Sequence, residues 1–162
     1  MLLLIQYTLI FASVLILVAL GGCFSEHSGV INIGLEGIMV MGALGGALML
    51  RFLSPDLPAV VIILLVMLAS IVVGMVYSLL LAVAAINFKA DQTLVGTALN
   101  LLGTAAAVVV VRAINMAENP DNVSSTVAYK VAKKAFLINI GKFEFSWFML
   151  LALLILIASY II

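Results

Sequence analysis

The chain has 162 residues, of which 67% are hydrophobic and 9% are charged, and its seven Lys and Arg balance its seven Asp and Glu. Soluble domains average about 45–50% apolar and about 25% charged residues, so this composition excludes a soluble globular domain and indicates an integral membrane protein. The lack of net positive charge argues against a nucleic-acid partner, and a single cysteine, Cys23, excludes an internal disulfide and argues against a metal cluster.

The first predicted element is an apolar helix from Leu2 to Gly22. It has no basic segment in front of it and is longer than the roughly 7–15 residues of a signal-peptide core. We therefore interpret it as a retained membrane helix rather than a cleaved leader.

The second element joins a polar, glycine-containing segment to a short apolar run. The run from Ile38 to Leu50 is too short to span a membrane alone, because a spanning helix needs about 20 apolar residues. It must include residues before it, yet Gly29, Gly34 and Gly37 disfavour a regular helix there. We predict a broken or re-entrant helix near residues 23–37, which requires protein or a water-filled cavity to cover its freed backbone groups.

Polar and small side chains make this second element a candidate site. Asn32 and Glu36 are four residues apart and share a face if the segment is helical. Interrupted helices near the membrane midplane are where transporters place substrate sites, so both residues are substrate-path candidates. Glu36 could equally be a structural carboxylate that caps a half-helix or binds a neighbouring group. Gly42 and Gly46 form a GxxxG pattern that predicts close helix packing.

Three further membrane helices follow. The stretch from Pro58 to Ile86 is uncharged, and as a helix it would reach about 43 Å, beyond the roughly 30 Å hydrocarbon core, so tilt or an emergent end is expected. Thr93–Val111 and Ser146–Ile162 are the other two. Short connections at residues 51–58 and 87–92 join the spans.

The fourth predicted helix has one small, polar face and one apolar face. At about 100° per residue a single arc of about 140° contains the polar and small residues, which are Gln92, Thr93, Gly96, Thr97, Asn100, Gly103 and Thr104. Small residues allow close helix approach, and Thr or Asn side chains bond across helices, so helix packing explains the pattern. A translocation path in which Gln92 and Asn100 face a polar solute explains it as well. Both interpretations stay open.

Residues 115–144 are the longest polar region. On a helical wheel Lys130, Lys133 and Lys134 lie opposite an apolar side, which predicts an interfacial amphipathic helix over residues 127–136. Alternating apolar and polar residues around Gly141-Lys142 predict a two-residue hairpin. The lysines would make this region cytoplasmic under the positive-inside rule.

Two separated motifs resemble those of the permease subunits of bacterial ABC importers for nucleosides, relatives of the ribose and branched-chain amino acid permeases. The first motif matches at Gly21, Gly22, Phe24, Ser25, Glu26, Ser28, Gly29, Val30, Asn32, Ile33, Gly34, Leu35, Glu36 and Gly37. The second matches at Gln92, Thr93, Val95, Gly96, Thr97, Ala98, Leu99 and Asn100. The resemblance covers most of the chain through the long loop but only about the N-terminal half of a usual permease.

The resemblance implies an all-α polytopic transmembrane helical bundle in the bacterial plasma membrane. Residues 1–162 would be a single, incomplete permease domain that moves nucleosides inward without being an enzyme or holding a cofactor. The implied partners are an ATP-binding cassette subunit, which hydrolyses ATP, a second permease subunit and a solute-binding lipoprotein. The 115–144 loop would face outward and Lys89 inward, against the positive-inside rule.

The chain departs from the family pattern in two places. His27 stands where the family more often has arginine, so the charge there depends on pH. The later cytoplasmic loop that contacts the ATPase has no counterpart before Ile162, so we expect a fragment, a truncated product or half of a split permease. The alternatives are a ribose-like sugar or branched-chain amino acid permease, or a truncated, non-transporting membrane subunit.

The candidate residues fall into two sets, and no catalytic or metal-binding residue is predicted. The substrate-path set is Asn32, Glu36, Gln92, Gly96, Thr97 and Asn100, and the helix-packing set is Gly42, Gly46 and Gly103.

Overall fold

Helices account for most of the described chain. The structure is a computed structural model that describes residues 2–29, 31–54, 56–129, 137–140 and 143–161. The elements in chain order are α1 (Leu2–His27), α2 (Leu35–Phe52), α3 (Ala59–Ile86), α4 (Gln92–Glu118), β1 (Leu137–Ile140), β2 (Phe143–Ser146) and α5 (Trp147–Ile161). By length and composition, α1 to α4 could each cross a membrane. The predicted all-α transmembrane fold is confirmed, with one short antiparallel pair of strands added to the described helices.

The predicted helix break lies between α1 and α2, where the described residues 28–29 and 31–34 are not helical. This is narrower than the expected range of 23–37, because α1 continues regularly to His27. The turn after α1 contains Gly29 at a φ of 83°, a left-handed conformation that glycine adopts without the Cβ penalty of other residues. The Gly29 N–H donates to the carbonyl of Glu26 at 2.9 Å, which closes the last turn of α1.

The first turn of α2 begins after Gly34. The carbonyl of Gly34 accepts the first intrahelical bond, from the N–H of Ile38, at 3.1 Å. Asn32 precedes this turn and lies in the non-helical segment. Asn32 and Glu36 would share a face in a continuous helix, but in the structure they do not.

Helices α2, α3 and α4 belong to one compact unit, Val30–Val131. In this unit α3 runs antiparallel to α2, because Ile38 of α2 lies against Gly74 of α3 while Gly46, later in α2, lies against Val66, earlier in α3. Helix α4 runs parallel to α2, since Gly37 near the start of α2 packs on Leu99 in the first half of α4, while Arg51 in the last turn of α2 binds Asn115 near the end of α4. The N-terminal ends of α2 and α4 are consequently at the same end of the unit.

Glycines allow α2 and α3 to approach closely. A Cβ atom on Gly42 would lie 3.3 Å from the carbonyl oxygen of Ser70, and one on Gly45 would lie 2.7 Å from a methyl carbon of Val73. A Cβ on Gly46 would overlap the Ser70 hydroxyl. The core of this unit lies beside these contacts and consists of buried Tyr77, Leu81 and Leu99 with Ile38, Met41 and Val95 packed on them.

The start of α4 is capped by its own sequence. Asp91 is the N-cap residue, and its Oδ1 accepts from the N–H groups of Thr93 at 2.8 Å and Leu94 at 3.0 Å. Such caps stabilise a helix by about 1 kcal/mol. Helix α4 extends to Glu118, beyond the expected end of the span at Val111.

The second compact unit consists of Met1–Gly29 and Ala132–Ile162. In it, α1 packs against α5 and β2, with Ser13 and Ala152 buried. Strands β1 and β2 pair antiparallel, with Ile140 opposite Phe143. The predicted turn residues, 141–142, lie outside the described residues, as do residues 130–136 of the predicted amphipathic helix.

Candidate functional site

The candidate site lies where the segment before α2 meets the first half of α4. We call it the α2–α4 junction and define it as residues 31–37 together with residues 92–103. All of these residues belong to the Val30–Val131 unit. The junction contains all six predicted substrate-path residues.

Asn100 holds two backbone groups of the junction. Its Nδ2 donates to the carbonyl of Ile33 at 2.9 Å, and its Oδ1 accepts from the N–H of Gly37 at 2.7 Å. The first N–H groups of a helix have no partner within the helix and need one elsewhere. Gly34 at the N-cap has no side chain to supply one, so Asn100 caps α2 from another helix.

Gln92 makes a second link to the same segment. Its Oε1 accepts from the N–H of Ile31 at 2.9 Å. Gln92 and Asn100 lie eight residues apart on α4, about two helical turns, so the non-helical segment lies along the start of α4. The amide side chains predicted to face a solute bind the protein's own backbone.

Glycines make the junction tight. A Cβ on Gly96 would lie 2.9 Å from the backbone nitrogen of Gly34, and a Cβ on Gly37 would lie 2.6 Å from the carbonyl oxygen of Leu99. A Cβ on Gly103 would lie 3.0 Å from the Cα of Gly37. The small residues of the α4 arc therefore allow backbone-to-backbone contact with α2. Gly42 and Gly46 lie farther along α2, against α3.

Tyr77 joins α3 to the junction and was not identified from the sequence. It is buried, and its hydroxyl donates to the carbonyl of Leu99 at 2.6 Å. A buried tyrosine hydroxyl normally finds a partner, and Tyr77 is the one tyrosine in a predicted span that is otherwise almost free of polar side chains. That isolation is the signal that could have identified it.

Glu36 is placed differently from the amides. It is exposed in the first turn of α2, where the helix dipole favours a negative charge. Its carboxylate forms no ion pair with any residue that the structure describes. Asn32 is half-buried, and its Oδ1 is buried without a hydrogen-bond partner among the described residues.

Thr97 is also exposed, and its hydroxyl donates to the carbonyl of Thr93 at 2.7 Å on its own helix. Glu36 and Thr97 are therefore the substrate-path candidates that the structure leaves on the surface. That any of the six residues lines a path stays a prediction. Within the described ranges, no three His, Cys, Asp or Glu side chains converge as metal ligands.

A second polar cluster lies at the opposite end of the same three helices. The Arg51 side chain, only 8% exposed, donates to Oδ1 of Asn115 at 2.9 Å and pairs with the Glu118 carboxylate at 2.6 Å. Asn115, 2% exposed, donates through Nδ2 to the carbonyls of Ser124 and Thr126 at 2.9 and 3.0 Å. The sequence did not single out this cluster, because its members are far apart in the chain.

The chain matches a known family over almost its whole length. Residues 4–162 match the family described as "Branched-chain amino acid transport system / permease component". No solved structure matches the chain significantly.

Several curated proteins are similar to parts of the chain. The guanosine ABC transporter permease protein NupQ of Bacillus subtilis (strain 168) is 48% identical over 107 residues, which are 66% of this chain and 33% of that protein. The nucleoside ABC transporter permease protein NupC of Lactococcus lactis subsp. cremoris (strain MG1363) is 36% identical over 62% of this chain and 31% of its own length. A putative glucose ABC transporter permease protein of Haloferax volcanii is 36% identical over 57% of this chain and 26% of its own length. The chain spans about a third of the length of the curated relatives it matches.

Proposed function

The chain belongs to the family of branched-chain amino acid transport system permease components, and we propose that it is a membrane-spanning subunit of an ABC importer that carries nucleosides across the bacterial plasma membrane. The observation that carries this proposal is the similarity to the guanosine permease, which is higher than that to the putative glucose permease. Four helices long and apolar enough to cross a bilayer support a multi-pass membrane protein.

The proposed importer has further subunits. A separate ATP-binding cassette subunit hydrolyses ATP, a second permease subunit completes the pathway, and a solute-binding lipoprotein delivers the nucleoside. The chain itself supplies the path and performs no catalysis, and it holds no cofactor in this proposal.

The α2–α4 junction supplies the groups that a nucleoside would meet. A nucleoside carries ribose hydroxyls and base N–H groups, which donate hydrogen bonds, and an ionised carboxylate accepts such bonds strongly. Glu36 is exposed, has no partner among the described residues and lies at a helix start next to the tightly packed Gly37. We assign Glu36 the role of acceptor for the solute, with the Thr97 hydroxyl beside the path.

Uptake by cells tests the proposed function. A strain that lacks this chain should lose uptake of radiolabelled guanosine, and re-expression of the chain should restore it, while leucine uptake stays unchanged. Loss of glucose uptake with guanosine uptake intact would favour a sugar permease, which the Haloferax volcanii relative makes the second candidate. Unchanged uptake of all three solutes would instead favour a non-transporting membrane subunit.

The Glu36→Gln variant tests the assigned residue in the same strain. The amide keeps the shape of the side chain but removes its charge and one acceptor, so guanosine uptake should fall about tenfold, as expected for the loss of about 1.4 kcal/mol of binding. The amount of the chain in the membrane should stay the same. Asp56→Asn, which also removes one exposed negative charge, is the matched control and should leave uptake unchanged. Unchanged uptake in Glu36→Gln would show that Glu36 does not bind the solute. Loss of the protein from the membrane would show that its carboxylate is structural.

A further inference from the structure

We propose that Asn100 is a positioning residue whose carboxamide takes the place of a missing backbone hydrogen bond at the start of α2. It thereby keeps the segment before α2 non-helical and in contact with α4. The effect on transport rests on the proposed function, but the effect on the structure does not.

The two backbone groups that Asn100 binds are those that would pair in a longer helix. In an α-helix each N–H donates to the carbonyl four residues earlier, so the N–H of Gly37 would donate to the carbonyl of Ile33. In the structure the Gly37 N–H donates to Oδ1 of Asn100 at 2.7 Å, and the Ile33 carbonyl accepts from Nδ2 of Asn100 at 2.9 Å. A side chain inserted into the helical hydrogen-bond ladder is a recognised cause of a sharp helix break.

A primary amide suits the chemistry of this insertion. A carboxamide presents one acceptor and two donors from the same planar group, so it can satisfy an N–H and a carbonyl at once. A carboxylate lacks the donor at neutral pH, and an aliphatic side chain lacks both groups. The side chain of Asn100 can therefore bind both the N–H of Gly37 and the carbonyl of Ile33, which do not pair with each other.

The surrounding contacts hold the inserted amide in place. A Cβ on Gly96 would lie 2.9 Å from the backbone nitrogen of Gly34, and a Cβ on Gly37 would lie 2.6 Å from the carbonyl oxygen of Leu99, so neither Gly96 nor Gly37 has room for a Cβ. The N–H of Ile31 is also bound, by Gln92. The segment before α2 is therefore attached to α4, and the position of Glu36 depends on that attachment.

A distance between spin labels tests this role in the full chain, in nanodiscs, after Cys23→Ser. Labels at Ile31 and Leu94 are suitable, because both side chains are exposed, at 53% and 72%. The starting chain should give a single narrow distance distribution. Asn100→Leu, which keeps a side chain branched at Cγ, although a larger one, and removes both hydrogen bonds, should shift or broaden the distribution, because the segment either detaches from α4 or closes into a continuous helix. The proposal is overturned if that distribution matches the starting chain.

A second variant, with a side chain close in size to that of asparagine, distinguishes the loss of a hydrogen bond from a change in packing. Asn100→Asp keeps the acceptor for Gly37 but, when ionised, replaces the donor to Ile33 by an oxygen that repels that carbonyl, so its distance distribution should also shift or broaden. It also serves as the test if Asn100→Leu does not fold, and a distribution equal to that of the starting chain would then contradict the proposal. Thr104→Val is the matched control, since the Thr104 hydroxyl binds a carbonyl of its own helix at 2.9 Å, and it should leave the distribution unchanged.

Transport measured in the same variants separates this inference from the proposed function. If the importer takes up guanosine, Asn100→Leu should lower the uptake rate by about tenfold or more, because the loss of both hydrogen bonds misplaces Glu36. A chain that shows the distance change but no guanosine uptake in any form would reject the proposed function and leave the role of Asn100 intact.

Discussion

The residues of the α2–α4 junction contribute two chemical properties, the small size of glycine and the hydrogen-bonding capacity of amide side chains. Gly34, Gly37 and Gly96 bring backbones together, and Asn100 and Gln92 then reach backbone groups that would otherwise lack partners. Neither property is sufficient alone. Close approach without the amides would bury unpaired N–H and carbonyl groups, which costs several kcal/mol per group in a membrane.

Gly96→Ala should destabilise the chain by about 1–3 kcal/mol, because the added Cβ would lie 2.9 Å from a backbone nitrogen, which cannot move aside as a flexible side chain can. The measurement is the unfolding midpoint in a denaturing-detergent titration. Gly21→Ala is the matched control, since nothing lies within 4 Å of an added Cβ there. The control should be neutral or slightly stabilising, as alanine favours helix by about 1 kcal/mol over glycine. Equal effects of the two substitutions would contradict the tight contact.

At the scale of elements, the ends of α2 and α4 are held by different chemistry. The N-terminal ends meet through glycines and amides, whereas the C-terminal ends meet through the cationic Arg51, for which the dipole of a helix C-terminus is favourable. Asn115 extends this second contact to the chain that follows α4, because its amide binds the carbonyls of Ser124 and Thr126. The polar segment after α4 is thereby attached to the helices.

Arg51→Met should loosen this attachment. The substitution keeps a long apolar stem but leaves Oδ1 of the buried Asn115 without its donor, at a cost of about 1–3 kcal/mol. We expect amide hydrogen exchange across residues 122–126 to rise by about tenfold, a factor equal to 1.4 kcal/mol. Glu118→Gln is the comparison variant and should have the smaller effect, because the Glu118 side chain is 70% exposed and the amide oxygen of glutamine can still accept from Arg51. A larger effect from Glu118→Gln than from Arg51→Met would show that the ion pair, and not Asn115, holds the segment.

For the whole molecule, the length of α4 determines that the segments before and after it lie on opposite sides of the membrane. Lys89 precedes α4 and residues 122–125 follow it, so the two lie beyond opposite ends of a helix of about 40 Å, longer than a hydrocarbon core of about 30 Å. They therefore belong on opposite sides of the bilayer. We propose that residues 122–125 face outward, as the family resemblance implies.

Labelling of intact cells by a membrane-impermeant thiol reagent checks this orientation. After Cys23→Ser, a single cysteine at Ser125 should react from outside, and one at Lys89 should react only after the cells are permeabilised. Both positions are exposed in the structure, so unequal burial does not bias the comparison. The reverse pattern would show that the lysines after residue 129 follow the positive-inside rule and that the proposed orientation is wrong.

The sequence by itself determined the membrane setting, the order of the spans and the family. These properties depend on local features, since long apolar runs, glycine-rich breaks and short motifs are readable without knowing what packs against them. The predicted all-α fold and the family are confirmed, and the break near residues 23–37 was located to within a few residues.

Only the tertiary structure decided which partners the polar residues have. On the helical wheel, Gln92 and Asn100 could face either a solute or another helix, because periodicity gives a direction and not a partner. The structure pairs Asn100 with backbone groups 63 and 67 residues away in the chain and pairs Arg51 with Asn115, 64 residues away. Contacts over such separations depend on how α2, α3 and α4 pack, and no local pattern in the sequence encodes them.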